Sequence, residues 1–358
     1  MSRFLKEEYQ KLEAYTPGEQ PRNMEYIKLN TNESPYPPAP EVVAAVKPED
    51  LENLRLYSDP TAKALKESIA RVYGVKPEQI FVSNGSDEAL SFAFMAFGHQ
   101  GVLFPDITYG FYQVYAQLYD LDFEKIPLKE DFSLNPSDYQ RKNKMVVIAN
   151  PNAPTGKSIL LEEIEQLLKT NPDNVVLIDE AYVDFGGETA LPLLSRYENL
   201  LITRTFSKSR CLAGGRLGYA FGSEALIADL EKIKYSTNPY NLDRLTLTLG
   251  QATMEADAYY QEKCQQIIRT RQWTMEQLEK LGFVVIPSQA NFLFAANPAI
   301  SGKDLYEKLK ARGVLVRHFS KPRIANYLRI TIGTDDQMQI LMNGIKEILG
   351  GTYENSDN

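Results

Sequence analysis

The chain has 358 residues, 43% of them hydrophobic and 24% charged, with a net charge of −8. That length suits two domains, and the composition is that of a soluble globular enzyme. The acidic balance argues against nucleic acid as a partner, no apolar run approaches the roughly 18 residues of a membrane span, and two cysteines with two histidines leave no metal-spaced cluster.

The N-terminus, MSRFLKEEYQ, is charged and lacks the apolar core of a signal peptide, which makes the cytoplasm the default compartment. Residues 1–29 read as an arm: a short helix in SRFLKEEYQKLE, then turn chemistry in YTPGEQP. LNTNESPYPPAP (29–40) is too rich in Asn and Pro for regular structure. TAKALKESIARVYG carries Leu65, Ile69 and Val72 at helical spacing, with Gly74 as the stop. The short apolar runs QIFVS, GVLF, MVVIAN, NVVLIDE and NLLITR follow, with helical patterns such as SDEALSFAFMAFG and SILLEEIEQLLK between them. Short apolar strands alternating with helices predict an α/β fold with a mostly parallel central sheet flanked by helices. This large domain is expected over 30–240. Beyond it, one long helical pattern runs through MEADAYYQEKCQQIIRTRQWTMEQLEKLG. It leads into FVVIP, NFLFA, KDLYEKLKARG, VLVRHF, YLRITIG and a last helix, DDQMQILMNGIKEILG. That texture predicts a smaller α+β domain over 241–358.

In an open parallel sheet, ligands bind beyond the carboxyl ends of the strands, and the polar residues of this chain collect at those ends. Ser86 and Asp87 follow QIFVS and begin a helical pattern, so they either cap it or form a phosphate cup. Asn152, in NPNAPTG, is either a turn residue or a ligand contact. Asp179 ends an apolar run, where a charge calls for a partner: it caps a helix or pairs with a cationic ring nitrogen. Tyr182, three residues on, either packs or directs its hydroxyl to the same ligand. Lys208 follows Ser207 and precedes LAGGRLG. It is either a surface lysine or an amine held ready to trap a carbonyl cofactor, with Ser207 and Arg216 on a phosphate. Tyr109 stacks on a ring or packs in the core. Arg329 in YLRITIG and Arg317 in VLVRHF either project outward or grip a substrate anion.

Taken together, LNTNESPYPP, NPNAPTG, DEAYVDF, TFSK…LAGGRLGY, PYN and YLRITIGT occur in the order of the fold-type I pyridoxal-phosphate aminotransferases. More narrowly, the chain resembles the histidinol-phosphate aminotransferases over nearly its whole length. The resemblance implies that Lys208 links covalently to pyridoxal 5'-phosphate and that Asp179 pairs with its pyridine nitrogen. It implies that Asn152 and Tyr182 approach the phenolic oxygen, that Tyr109 stacks on the ring, and that Ser86, Asp87, Ser207 and Arg216 hold the phosphate. Tyr57, in LYSDP, would reach the cofactor phosphate of a neighbouring subunit, which makes a homodimer the expected unit. Asn32 would lie close to substrate, Arg329 with Arg317 would grip its anionic group, and Tyr15 would come from the partner's arm. The implied reaction moves an amino group between L-histidinol phosphate and 2-oxoglutarate, with glutamate as the other amine. The alternatives are an aromatic aminotransferase, a threonine-phosphate decarboxylase and a non-catalytic module on the same fold. The sequence departs from the family pattern at Ser209-Arg210-Cys211, at the serine of YSDP and in the Gly-Ser-Asp cup.

Overall fold

A computed structural model describes residues 2–354 apart from 11, 14, 23, 141 and 142. The arm helix is one turn, Glu7–Gln10. The first strand, β1 (Ile27–Lys28), runs parallel to residues 314–315, so the N-terminal segment is fastened to the far end of the chain.

Seven strands then build the main sheet: β2 (Ile80–Asn84), β3 (Val102–Pro105), β4 (Phe123–Ile126), β5 (Met145–Ala149), β6 (Val176–Asp179), β7 (Leu200–Thr205) and β8 (Leu217–Gly222). Their order is β2-β8-β7-β6-β5-β3-β4. Neighbours are parallel except for β8, which is antiparallel to both β2 and β7. β5, β6 and β7 are buried along their whole length, as their unbroken apolar runs require of strands covered on both faces. On one face, Leu65 and Ile69 of the helix Lys63–Tyr73 pack with Ile164 and Leu167 of Leu161–Thr170. On the other, Phe92 and Phe94 of Gly85–Phe97 pack with Ile227 and Leu230 of Glu224–Thr237. The helix Lys63–Tyr73 ends at Gly74, whose φ of +68° is the left-handed cap that glycine favours. Two strands carry no clear sequence signal: β4 is half exposed, and β8 (LGYAFG) is glycine-rich.

The long helical pattern read from Met254 onward forms the helix Asp257–Lys280, which Ala256 separates from a preceding helix, Arg244–Glu255. That preceding helix packs on Lys63–Tyr73, and its Met254 joins the core of the main sheet. Asp257–Lys280 lies against a four-stranded antiparallel sheet. After β9 (Val284–Ile286) and β10 (Phe292–Ala296), the run VLVRHF splits into β11 (Val314–Leu315), which pairs with β1, and β12 (Arg317–His318). With β13 (Leu328–Thr331) the small sheet has the order β12-β13-β10-β9. Leu29 lies in the core of this unit. We propose that the two domains divide near residue 256, with the segment around Leu29 belonging to the smaller one. Among the described residues, no helix is long and apolar enough to cross a membrane.

Candidate active site

β2, β5, β6 and β7 are parallel, so Asn84, Ala149, Asp179 and Thr205 end at one edge of the sheet. A cavity of about 590 Å³ opens there. Its walls combine this edge with arm residues 15–18, the segment 30–33 and part of the small sheet. It brings together Tyr15, Asn32, Ser86, Asp87, Tyr109, Asp179, Tyr182, Ser207, Lys208, Arg216, Arg317 and Arg329. Two expected residues stand apart. Asn152 accepts from the Thr108 hydroxyl at 2.7 Å and donates to the Ile107 carbonyl and Thr155 Oγ1, both at 3.0 Å, while its neighbours Ala153 and Pro154 line the cavity. Tyr57 lies on the outer surface, stacked on Tyr240 with ring centres 4.3 Å apart.

Lys208 Nζ donates to the Thr31 carbonyl at 3.1 Å. Burial and the Arg329 guanidinium push its pKa down to about 8, with Glu33 and Asp87 pulling the other way. The ammonium still predominates at neutral pH, but the neutral amine is far more accessible than for an ordinary lysine. Asp179 is nearly inaccessible and accepts from Tyr112 Oη at 2.7 Å and Thr203 Oγ1 at 3.1 Å. Burial raises its pKa to about 6 despite those donors, because hydroxyls replace hydration only in part. Asp179 caps no helix; it closes β6 and faces the cavity. The Tyr182 hydroxyl accepts from Asn32 Nδ2 at 2.9 Å, and burial raises its pKa.

Gly85 (φ +70°) begins the helix Gly85–Phe97, and the Arg216 guanidinium lies so close that a Cβ there would sit 2.6 Å from its Nη2. Asp87 accepts from Tyr109 Oη at 2.8 Å and pairs with Arg216 at 3.2 Å. Arg317 and Arg329 sit directly opposite each other on antiparallel strands and so share a face. Arg329 donates to the Asn30 carbonyl at 2.9 Å, but its buried Nε has no partner. Arg317 reaches the carbonyls of Thr16 and Pro17 at 3.2 and 3.3 Å, which ties the arm to the small sheet. Tyr15 lines the cavity and stacks on Phe111, with ring centres 4.4 Å apart.

The departure after Lys208 is built into the scaffold. Ser209 donates to Asp184. Arg210 is buried, paired with Asp257, and donates to Tyr73 Oη at 3.1 Å. Cys211 has a φ of +55° and contacts Ser34 Oγ. Sequence reasoning missed Thr31, Tyr112 and Thr203. Tyr112 sits one helical turn beyond Tyr109, and Thr203 shares a strand face with Thr205; these were the available signals.

A family model for class I and II aminotransferases matches residues 24–345. The chain belongs to this family. Among aminotransferases, it is 50% identical over 356 residues to histidinol-phosphate aminotransferase 2 of Dechloromonas aromatica, covering 98% of this chain and all of that one. It is 50% identical over 351 residues to the histidinol-phosphate aminotransferase of Clostridium acetobutylicum, covering 98% and 100%. The crystal structure of histidinol-phosphate aminotransferase from Sinorhizobium meliloti in complex with pyridoxal-5'-phosphate superposes with a TM-score of 0.86 at 21% identity, covering 98% of this chain and 99% of that one. The aminotransferase fold is thus shared over the whole length.

Proposed function

We propose that the chain is a histidinol-phosphate aminotransferase that uses pyridoxal 5'-phosphate and works as a homodimer in the cytoplasm. One observation carries the chemistry: a half-buried amine, Lys208, and a buried carboxylate, Asp179, share one cavity with two facing arginines. The narrower substrate assignment draws on relatives that are half identical from end to end.

The residues fit the cofactor. Asp179 is enclosed with hydroxyl donors and lacks a cation at hydrogen-bond distance among the described residues, so a protonated ring nitrogen complements it. The helix start at Ser86, with Ser207 and Arg216, suits a phosphate. Tyr109 offers an aromatic face. Asn152 reaches a phenolic oxygen only by exchanging one of its present partners.

Bound pyridoxal phosphate supplies an electron sink for the pair left at the substrate α-carbon. Asp179 keeps the ring nitrogen protonated. Lys208 Nζ, whose pKa the enclosed site brings down toward neutrality, takes up and returns the α-proton. Tyr182 and Asn32 orient the reacting centre from one side. Arg329 and Arg317 hold the substrate anion, a phosphate in one half-reaction and a carboxylate in the other. Two like charges opposed across a sheet are unfavourable alone, and an anion between them removes that cost. Tyr15 and the arm cover the opening and exclude water.

The test is a side-by-side assay of L-histidinol phosphate, phenylalanine and threonine phosphate as amine donors with 2-oxoglutarate. Histidinol phosphate should give the highest kcat/KM by at least about tenfold. Carbon dioxide release from threonine phosphate with histidinol phosphate inert would overturn the substrate reading. Lys208→Ala should bind the cofactor without a covalent link and lose most turnover; full activity there would make a binding role for that lysine untenable.

A further inference from the structure

We infer that Thr331 and Asn291, two small-domain residues, are positioning residues that hold Asn32 so that its segment orients both Lys208 and Tyr182. The inference rests on the reading of Lys208 given above. Asn32 is buried with a φ of +57°, a left-handed backbone that a non-glycine residue keeps when its surroundings over-determine it. Three contacts do so here. The Asn32 N–H donates to Thr331 Oγ1 at 3.0 Å, and the same hydroxyl donates back to Asn32 Oδ1 at 3.0 Å. The Asn291 amide donates to the Asn32 carbonyl, also at 3.0 Å. Both anchors are themselves buried and fixed: the Thr331 N–H donates to the Leu29 carbonyl, and the Ile332 N–H to the Asn291 carbonyl.

The consequence runs in two directions. With Oδ1 taken by Thr331, the Asn32 amide nitrogen is directed at Tyr182 Oη, 2.9 Å away. With the backbone of Asn32 fixed, the preceding carbonyl of Thr31 is aimed at Lys208 Nζ, 3.1 Å away. Two polar heads of the large domain are thus registered against β13 and the loop before β10. Neither Thr331 nor Asn291 is among the residues lining the cavity, so each acts through Asn32.

Thr331→Val keeps the shape and removes the hydroxyl, leaving the Asn32 N–H and Oδ1 without that partner. The experiment compares wild type, Thr331→Val, Thr331→Ser and Asn291→Ser. In cofactor-free protein, competitive acetylation of Lys208 with acetic anhydride across the alkaline range is read by peptide mass spectrometry. In loaded enzyme, kcat and KM are measured. Thr331→Val should lower the Lys208 midpoint by roughly half a unit, because the ammonium loses a well-aimed acceptor. It should cut kcat about tenfold while KM changes less than about twofold, since geometry rather than binding is lost. Thr331→Ser should restore both. Wild-type midpoint and kcat in Thr331→Val overturn the inference while the Lys208 reading stands. Should Thr331→Val not fold, Asn291→Ser carries the comparison: a lowered midpoint supports the inference, and an unchanged one overturns it. Failure of the underlying reading is seen separately, as wild-type protein in which borohydride fixes no pyridoxal phosphate at position 208.

Discussion

At neutral pH, Asp179 and Lys208 are each mostly in the charged form, which burial disfavours. The folded pKa of Asp179 lies near 6, above its ordinary 3.8, so the folded state binds this proton more tightly than the unfolded chain does. The resulting penalty is fully present above about pH 6 and vanishes below the unfolded value. Asp179→Asn should therefore stabilise cofactor-free protein by on the order of 2–3 kcal/mol at pH 7, measured by urea denaturation, with the gain fading as pH falls through that window. The same variant should lose at least about a hundredfold in turnover, because a neutral amide cannot hold the ring nitrogen protonated. Lys208 has the opposite sign: its folded pKa of about 8 lies below 10.5, so the cost of its ammonium is present below 8 and is relieved as pH rises toward 10.5. Covalent capture of pyridoxal phosphate by cofactor-free protein, followed by absorbance, should accelerate as pH rises through about 8.

At the scale of elements, β8 decides where the helix Gly85–Phe97 begins. A Cβ on Gly218 would lie 2.3 Å from the Ser86 nitrogen and 2.4 Å from the Gly85 carbonyl carbon, both backbone atoms that cannot swing away. The strand must carry glycine there for the helix Gly85–Phe97 to begin where it does. Gly218→Ala should destabilise the protein by about 1–3 kcal/mol and weaken pyridoxal phosphate binding at least about tenfold, read by thermal melting and cofactor titration. Gly344→Ala is the control: its added carbon meets nothing closer than 3.7 Å, inside a helix where alanine is favoured. The buried pair Arg204–Glu180 (2.7 Å) braces the same region, with Glu180 also accepting from Thr189 Oγ1 and the Ala190 N–H. It ties β7 to the turn that carries Tyr182.

For the whole molecule, the unexplained surface is the one around Tyr57, which is 78% exposed beside Tyr240, with Leu51, Leu54 and Leu56 also exposed nearby in sequence. Such apolar exposure suits an interface between subunits. If Tyr57 serves the neighbouring subunit's cofactor, mixing inactive Lys208→Ala chains with Tyr57→Ala chains should regenerate activity, up to about a quarter of wild type at equal mixing, since half the dimers then carry one complete site. No recovery above the sum of the separate variants would mean that Tyr57 acts within its own chain or on stability alone.

The apolar runs of β2, β3, β5, β6 and β7 were legible because a strand buried on both faces has little choice of composition, and so were the polar residues at or just beyond the ends of β2, β5, β6 and β7. Lys208, Asp179, Arg216 and Arg329 were legible as candidates because a charge beside such a run calls for a partner. What the sequence by itself determined is therefore the layered α/β fold and the list of groups able to do the chemistry. The tertiary structure decided which groups meet: that Thr31 and Asn32, from a proline-rich loop, touch Lys208 and Tyr182, that Tyr112 and Thr203 hold Asp179, that β8 runs antiparallel, and that Arg244–Glu255 joins the larger core. The hydrogen bonds among these link residues as many as 177 positions apart. Local pattern is blind to them because hydrogen bonding and burial act across space, whereas periodicity records only which face of one element is covered.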